Sequence, residues 1–229
     1  MPLTGKTIAV TGAFGALGTA VVRELLAQGA RVAAIDFATA PRDPSTLQGA
    51  SLHGGVDLGD PAAAAAVFAA IEKQHGGLDG LVNIAGGFRW EKVDGGSLDT
   101  WDTLYRMNLR TAVSACQAAL AHLPEGGRIV NTGANGAVKA GAGMGAYAAS
   151  KAGVARLTEA LAEELKDRGI TVNALLPSII DTPVNRADMP DADFSRWVQP
   201  AQLADAIAFL LSARASAITG ALIPVVGRV

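Results

Sequence analysis

The sequence predicts a doubly wound α/β domain built on a parallel sheet. Three observations carry that reading. Short β-rich runs alternate with longer helical patterns along the 229 residues, and strands separated by helices imply right-handed crossovers and a parallel sheet. Runs such as LVNI and ITVNAL are apolar throughout rather than alternating, as strands covered on both faces are. The first strand also runs directly into a turn of spaced glycines that opens a helix. No repeat or linker breaks the pattern, so residues 1–229 read as one unit.

In chain order, the KTIAV run at 6–10 reads as a strand and 16–28 as a helix. RVAAI at 31–35 is the second strand, and 51–56 is a weaker third. The helix at 61–74 has Asp60 as N-cap and Pro61 at its first position, where a missing N–H costs nothing. GLVNI at 80–84 follows as a strand, then a long helical stretch at 98–122 and a strand at 128–131. A second long helix, 144–167, is ended by Arg168-Gly169, a usual helix stop. A strand at 170–175, a helix at 200–211 and a strand at 221–226 complete the set. Two segments read as irregular, 37–50 and 177–197. The second, with Pro177, Pro183 and Pro190, is too long for an ordinary connection and reads as a functional lid, about residues 177–199.

Composition excludes several classes. Half the residues are apolar and 17% are charged, which excludes a disordered chain. A net charge of -2 gives no electrostatic reason to expect nucleic acid or an acidic membrane surface. There is no run of about 18 apolar residues, so no membrane span is expected. The start, MPLTGKTIAV, has no charged region followed by an apolar core, so a cytoplasmic location is expected. A single cysteine, Cys116, excludes an internal disulfide and a cysteine-based zinc cluster. His53, His75 and His122 lack ligand spacing, so no metal is expected.

The glycine turn carries the first candidate site. Gly12, Gly15 and Gly18 are spaced by three, with Phe14 and Leu17 between them. Such glycines allow a tight turn and close approach of backbone N–H groups to a pyrophosphate, and the helix N-terminus adds its partial positive charge. No Gly-Lys-Ser/Thr follows, which disfavours a triphosphate loop. The second strand ends at Asp36, whose carboxylate suits an adenosine ribose diol and would repel a 2′-phosphate. Phe37 offers a phosphate no positive partner; Arg42, on the next loop, is the one nearby cation. NAD(H) is therefore preferred, with NADP(H) as the other option.

The second candidate is Tyr147 with Lys151, one turn apart in Tyr-Ala-Ala-Ser-Lys and so on one helix face. An ammonium beside a phenol favours the phenolate and lowers the Tyr pKa toward the working pH. A phenol so tuned can deliver a proton to an oxygen or nitrogen that receives hydride.

With these pieces the sequence resembles the short-chain dehydrogenase/reductase family across essentially its whole length. The matching residues are 11–18, Asp57 in Val-Asp-Leu, Asn83-Ile-Ala-Gly86, Asn108 in Met-Asn-Leu, 128–131, Tyr147 to Lys151, and Pro177 to Thr182. The resemblance implies a Rossmann fold with a seven-stranded sheet in the order 3-2-1-4-5-6-7. It implies that Asp57 and Leu58 bracket the adenine and that Asn83, Ala85 and Gly86 line the adenosine ribose side. Tyr147 is then the proton donor or acceptor. Lys151 holds the nicotinamide ribose and lowers the Tyr pKa, and Asn108 holds a water linking Lys151 to solvent. Ile180 and Thr182, after Pro177, fix the carboxamide. The two long helices would pack against copies of themselves in a homodimer or homotetramer.

Three positions depart from the family pattern: Ala16 stands for the middle glycine of the turn, Ile84 for the second Asn, and Ala134 for the Ser that usually donates to the substrate carbonyl. A lost donor of that kind costs a few kcal/mol of transition-state stabilisation. One explanation is a substrate that does not need it. The stretch 176–197 resembles that of quinonoid dihydropteridine reductases, which use NADH and carry Ala at that position, and Phe88 and Trp90 offer flat surfaces. Another is that Asn135 or a backbone N–H supplies the donor for an ordinary alcohol, ketone or imine substrate. A third is an NAD-binding sensor or scaffold with little catalysis. Trp90 and Trp197 fall in segments expected to border the substrate.

Overall fold

The apolar runs assemble into one parallel sheet of seven strands. In the computed structural model, which describes residues 2–229, these are β1 (Thr7–Thr11), β2 (Arg31–Ile35), β3 (Ser51–His53), β4 (Gly80–Asn83), β5 (Arg128–Thr132), β6 (Thr171–Pro177) and β7 (Leu222–Val225). Their order is β3-β2-β1-β4-β5-β6-β7, as the sequence predicts.

Both faces are covered, which is why the strands are apolar throughout. On one face α1 (Ala16–Ala27) and α7 (Pro200–Leu211) bury Val21, Leu25, Leu203 and Ile207 against Ile8, Val10 and Val82. On the other, α2 (Pro61–His75), α4 (Thr111–Leu120) and α5 (Gly145–Glu164) bury Phe68, Ile71, Ala115 and Leu161 against Ala9, Leu81 and Ile129. The side chains of Ile8, Ala9 and Val10 thus alternate between two cores, as a strand's period of two requires. Asp60 caps α2 by accepting from the Ala62 N–H at 2.9 Å, and Gly76 ends it in the left-handed conformation.

Three predicted elements differ. The stretch at 98–122 is not one helix: α3 (Leu98–Leu104) passes into a π-helical turn, Tyr105–Arg110, before α4. Single π turns of this kind re-aim side chains within a helix, and the one re-aimed here is Asn108, described below. The segment at 177–197 is not wholly irregular. It holds a short helix, α6 (Pro183–Asp188), and a 3₁₀ turn, Phe194–Arg196. The third strand stops at His53 because Gly54 and Gly55 turn the chain away.

β1 and β4 are neighbours from which the chain winds in opposite directions. The crevice at their carboxyl ends is where open α/β sheets bind ligands. The glycine turn and the Tyr–Lys helix both reach it. Among the described residues no helix is long and apolar enough to cross a membrane.

Candidate active site

The floor of the crevice is the turn between β1 and α1. Gly12 has φ +66°, and a Cβ there would sit 2.7 Å from the Ala85 N. At Gly18 a Cβ would lie 2.1 Å from the Gly12 carbonyl. Both glycines are therefore required by the fold itself. Gly15 differs: a Cβ there would meet only the Gly12 carbonyl, at 3.4 Å, so its open side faces outward. Gly15 is the N-cap of α1 and no side chain caps that helix. The exposed start of α1 thus fits an anion such as a pyrophosphate. Leu17 buries its side chain in the core, so it can offer that anion only main chain.

Asp36 reaches back to the same turn. Its Oδ2 accepts from the Phe14 N–H and its Oδ1 from the Ala38 N–H, both at 2.9 Å. Two backbone donors hold the carboxylate at the end of β2 and leave lone pairs on each oxygen for a ribose diol. Further along, Asp57 accepts from the Gly59 N–H at 2.8 Å and from Arg106 at 2.7 Å. Desolvation pushes its pKa up, but the bonds from Gly59 and Arg106 and the charges of Arg106 and Arg110 together bring it below the usual carboxylate value. Leu58 is buried in the core, so only its backbone faces a base.

Asn83 is a correction to the expected ribose lining. Its side chain turns into the protein, donating to Asn131 Oδ1 at 2.9 Å and to Cys116 Sγ at 3.3 Å. Asn131 donates in turn to Thr158 at 2.9 Å. The buried string ties β4, β5 and α5 together, and a buried amide is stable there only because its partners are present. Thr11 Oγ1 accepts from the N–H groups of Ile84 and Ala85 at 3.1 and 3.2 Å. That locks the chain leading to Gly86.

The catalytic candidates lie behind Gly86. Asn108 is 1% exposed and Lys151 6%. A Cβ on Gly86 would lie 2.5 Å from Asn108 Oδ1 and 3.4 Å from Lys151 Nζ, so only glycine lets the backbone pass so close to both. Asn108 pairs with the Gly87 backbone in both directions, accepting at 2.8 Å and donating at 3.1 Å. It also donates to Ser150 Oγ at 2.9 Å, and Ser150 donates to the Tyr147 carbonyl at 2.8 Å. Ser150 was missed in the sequence. Its signal is the Ser of Tyr-Ala-Ala-Ser-Lys, which lies on the buried side of the helix. Lys151 Nζ donates to the Thr132 carbonyl at 2.8 Å, a partner that no side-chain motif could announce. The expected water-holding role of Asn108 does not fall to its side chain, whose bonds are already made.

The expected lowering of the Tyr147 pKa does not hold in this arrangement. Burial pushes Tyr147 up to about 12 and Lys151 down to about 8. No hydrogen bond joins the two side chains among the described residues, since the ammonium is turned to Thr132. Desolvation is the cause in both, so each group shifts toward its neutral form. At pH 7 Tyr147 carries its proton and Lys151 is still an ammonium. The Tyr147 hydroxyl has no hydrogen-bond partner among the described residues, which leaves it free for a ligand.

The outer wall is more open. Phe88 stands edge-on to Tyr147 with ring centroids 5.0 Å apart and is 53% exposed. Trp90 is 57% exposed and donates its indole N–H to the Ala142 carbonyl at 2.9 Å. Ala134 is buried and, with Lys151, lines a cavity of about 510 Å³. Asn135 opens a 3₁₀ turn, and its carboxamide has no hydrogen-bond partner among the described residues. Pro177 ends β6, and Thr182 caps α6 by accepting from the Asn185 N–H at 3.2 Å. Trp197 is a second correction: at 5% exposed, with its ring against Phe194, it is packed inside the lid segment and presents little surface to a substrate.

The profile described as enoyl-(acyl carrier protein) reductase matches residues 12–227. A Burkholderia cenocepacia short-chain dehydrogenase, solved in complex with NADP, superposes with a TM-score of 0.92 at 36% identity over 99% of this chain and 98% of the other. This chain belongs to the short-chain dehydrogenase/reductase family. The family's members are NAD(P)-dependent oxidoreductases, and the glycine turn, the open start of α1 and the Tyr147–Lys151 helix fit that chemistry. D-Threitol dehydrogenase of Mycolicibacterium smegmatis is 33% identical over 96% of this chain and 90% of its own length. A cyclic-di-GMP-binding biofilm dispersal mediator of Escherichia coli is 33% identical over 96% of this chain and 94% of its own.

Proposed function

We propose that this chain catalyses reversible hydride transfer between NAD(H) and a small C=O, C=N or quinonoid substrate. Tyr147 is the proton donor in reduction and acceptor in oxidation. The observation that carries the reading is the Tyr147 hydroxyl, unpartnered and beside a buried ammonium that Thr132, Asn108 and Gly86 enclose. The nicotinamide supplies or takes the hydride. Tyr147 gives its proton to the substrate oxygen or nitrogen as the hydride arrives at the adjoining atom. Lys151, with donors still unused, holds the ribose hydroxyls. Asn108 and Ser150 act through position, fixing Gly87 and the start of α5. Asn135 is the donor that stands in for the hydroxyl absent at Ala134.

Gly12, Gly15 and Gly18 would hold the pyrophosphate of a bound dinucleotide, and Asp57 with the Leu58 backbone would hold its adenine. Ala85 and Gly86 flank its ribose, and Ile180 and Thr182 meet the carboxamide. The Asp36 carboxylate, held by two backbone donors, supports NADH over NADPH. The NADP complex of the Burkholderia neighbour makes NADP(H) the competing cofactor. Exposed Phe88 and Trp90, together with the missing hydroxyl at Ala134, support a flat quinonoid substrate as a second reading. The open apolar side of α3, with Leu98 and Trp101 exposed, supports a homodimer or homotetramer.

The test is NADH oxidation by the purified protein on quinonoid dihydropterin and on a panel of ketones, diketones and imines in parallel. Turnover on either supports the reading. NADH binding without turnover on any of them would favour the sensor or scaffold.

A further inference from the structure

The lid segment is tied at its base. Ile180 and Val198 form an isolated parallel bridge, and the Asp181 N–H donates to the Val198 carbonyl at 2.8 Å. The Asp181 side chain then gathers both ends. Arg186, from α6, donates to it through two nitrogens at 2.5 and 2.8 Å, and Gln199, at the start of α7, donates at 2.8 Å. The Arg186 guanidinium lies 4.7 Å from the Phe194 ring centroid, and that ring lies 4.7 Å from Trp197. A bidentate guanidinium–carboxylate pair fixes geometry as well as charge. Those bonds hold the Asp181 carboxyl down at about 2, so the clasp stays ionised throughout the working range.

What the clasp holds is the pair of residues on either side of Asp181. The Ile180 carbonyl accepts from Asn185 Nδ2 at 2.7 Å, and Thr182 Oγ1 accepts from the Asn185 N–H at 3.2 Å. Asn185 adjoins Arg186 on α6, so the bond from Arg186 to Asp181 seats Asn185 as well. The Asp181 carboxylate thus adds a tie between α6, the base of the lid and the start of α7, beside the Ile180–Val198 bridge and the Asn185 bonds. The glycine turn joins β1 to α1 and Asp36 follows β2, and none of these residues hydrogen-bonds to this group.

We propose that Asp181 is a positioning residue that clasps Arg186 and Gln199 to hold Ile180 and Thr182 ready for the nicotinamide half of the dinucleotide. This rests on the NAD(H) reading above. A wall set in advance has no ordering cost left when ligand arrives, so the clasp acts on affinity for the nicotinamide end and leaves the adenosine end alone.

The experiment measures dissociation constants for NADH and for ADP-ribose, which lacks the nicotinamide, on wild type, Asp181→Asn, Arg186→Gln and the double variant. NADH binding weakens about tenfold in each single variant, the scale of one lost charge-assisted hydrogen bond. ADP-ribose binding stays within about twofold by the same reasoning, and the double variant is no worse than the singles. Equal weakening of both ligands would overturn the proposal, since a general loss of structure does that. Unchanged NADH binding overturns it as well. If wild type binds neither ligand, the NAD(H) reading itself fails, an outcome distinct from the other two.

Discussion

The two walls of the crevice are built on opposite principles. The inner wall, Asn108, Ser150, Lys151 and the Thr132 carbonyl, is buried, and hydrogen bonds connect it from Gly87 to Tyr147. The outer wall, Phe88, Trp90 and Asn135, is half open, and its side chains make few bonds. Buried polar groups are expensive unless every one is paired, so the inner wall has a single arrangement. The outer wall has no such constraint and can be re-cut without disturbing the fold. On the function proposed above, the difference places the proton chemistry in the interior and the choice of substrate at the surface.

Substitutions should separate the two. The largest effect is expected from Lys151→Ala, which removes the ammonium and should lower NADH-dependent turnover by about 10²–10⁴-fold, the scale of a positioned proton-transfer group. A loss under tenfold would break the assignment. Asn108→Ala strips the partners from Gly87 and Ser150. Its cost in a urea melt should be roughly 3 kcal/mol, because buried groups left unpaired lose about 1–3 kcal/mol each. Ala134→Ser restores a donor to the outer wall and should raise kcat/KM on simple ketones about tenfold, part of what a pre-organised donor is worth. Ala134 is buried, so the new hydroxyl should lower the melting temperature slightly unless it finds a partner. Asp36→Ala should narrow the preference for NADH over NADPH about tenfold in competition assays, since the carboxylate no longer repels a 2′-phosphate.

A smaller effect is expected with pH, and its sign follows from burial. Lys151 loses its proton near 8 in the folded protein and at 10.5 when unfolded. Across that window the unfolded chain holds the extra proton, so this group makes stability rise with pH. Tyr147 acts in reverse: its proton is held to about 12 when folded but only to 10.0 when unfolded, so its contribution falls across that window. Turnover follows the ammonium. A pH profile of NADH oxidation should decline as pH passes about 8.

Much of this was legible in the sequence, for physical reasons that differ by residue. Strands buried on both faces announce themselves as apolar runs, and their alternation with helices implies a parallel sheet; the strand order came from the family resemblance. Gly12 and Gly18 were legible because nothing larger fits beside Ala85 and Ala13. Tyr147 and Lys151 were legible because a helix turn sets their spacing. The rest depends on contacts distant in the chain. Asn108, in the π turn, is paired to the Gly87 backbone, and Asn83 turns inward because Asn131 waits on the next strand. The Tyr147 pKa required knowing how much water burial removes, which spacing does not contain. Trp197 looked available by position and is covered by its own segment.

The most direct test of the inner wall is Tyr147→Phe, which removes one hydroxyl and keeps the ring against Phe88. Turnover and NADH binding should be measured on the same samples, with the substrate that wild type reduces fastest. Turnover should fall about 10²–10⁴-fold while the NADH dissociation constant stays unchanged. Retained turnover with NADH bound would contradict the account, because the proton would then come from another group.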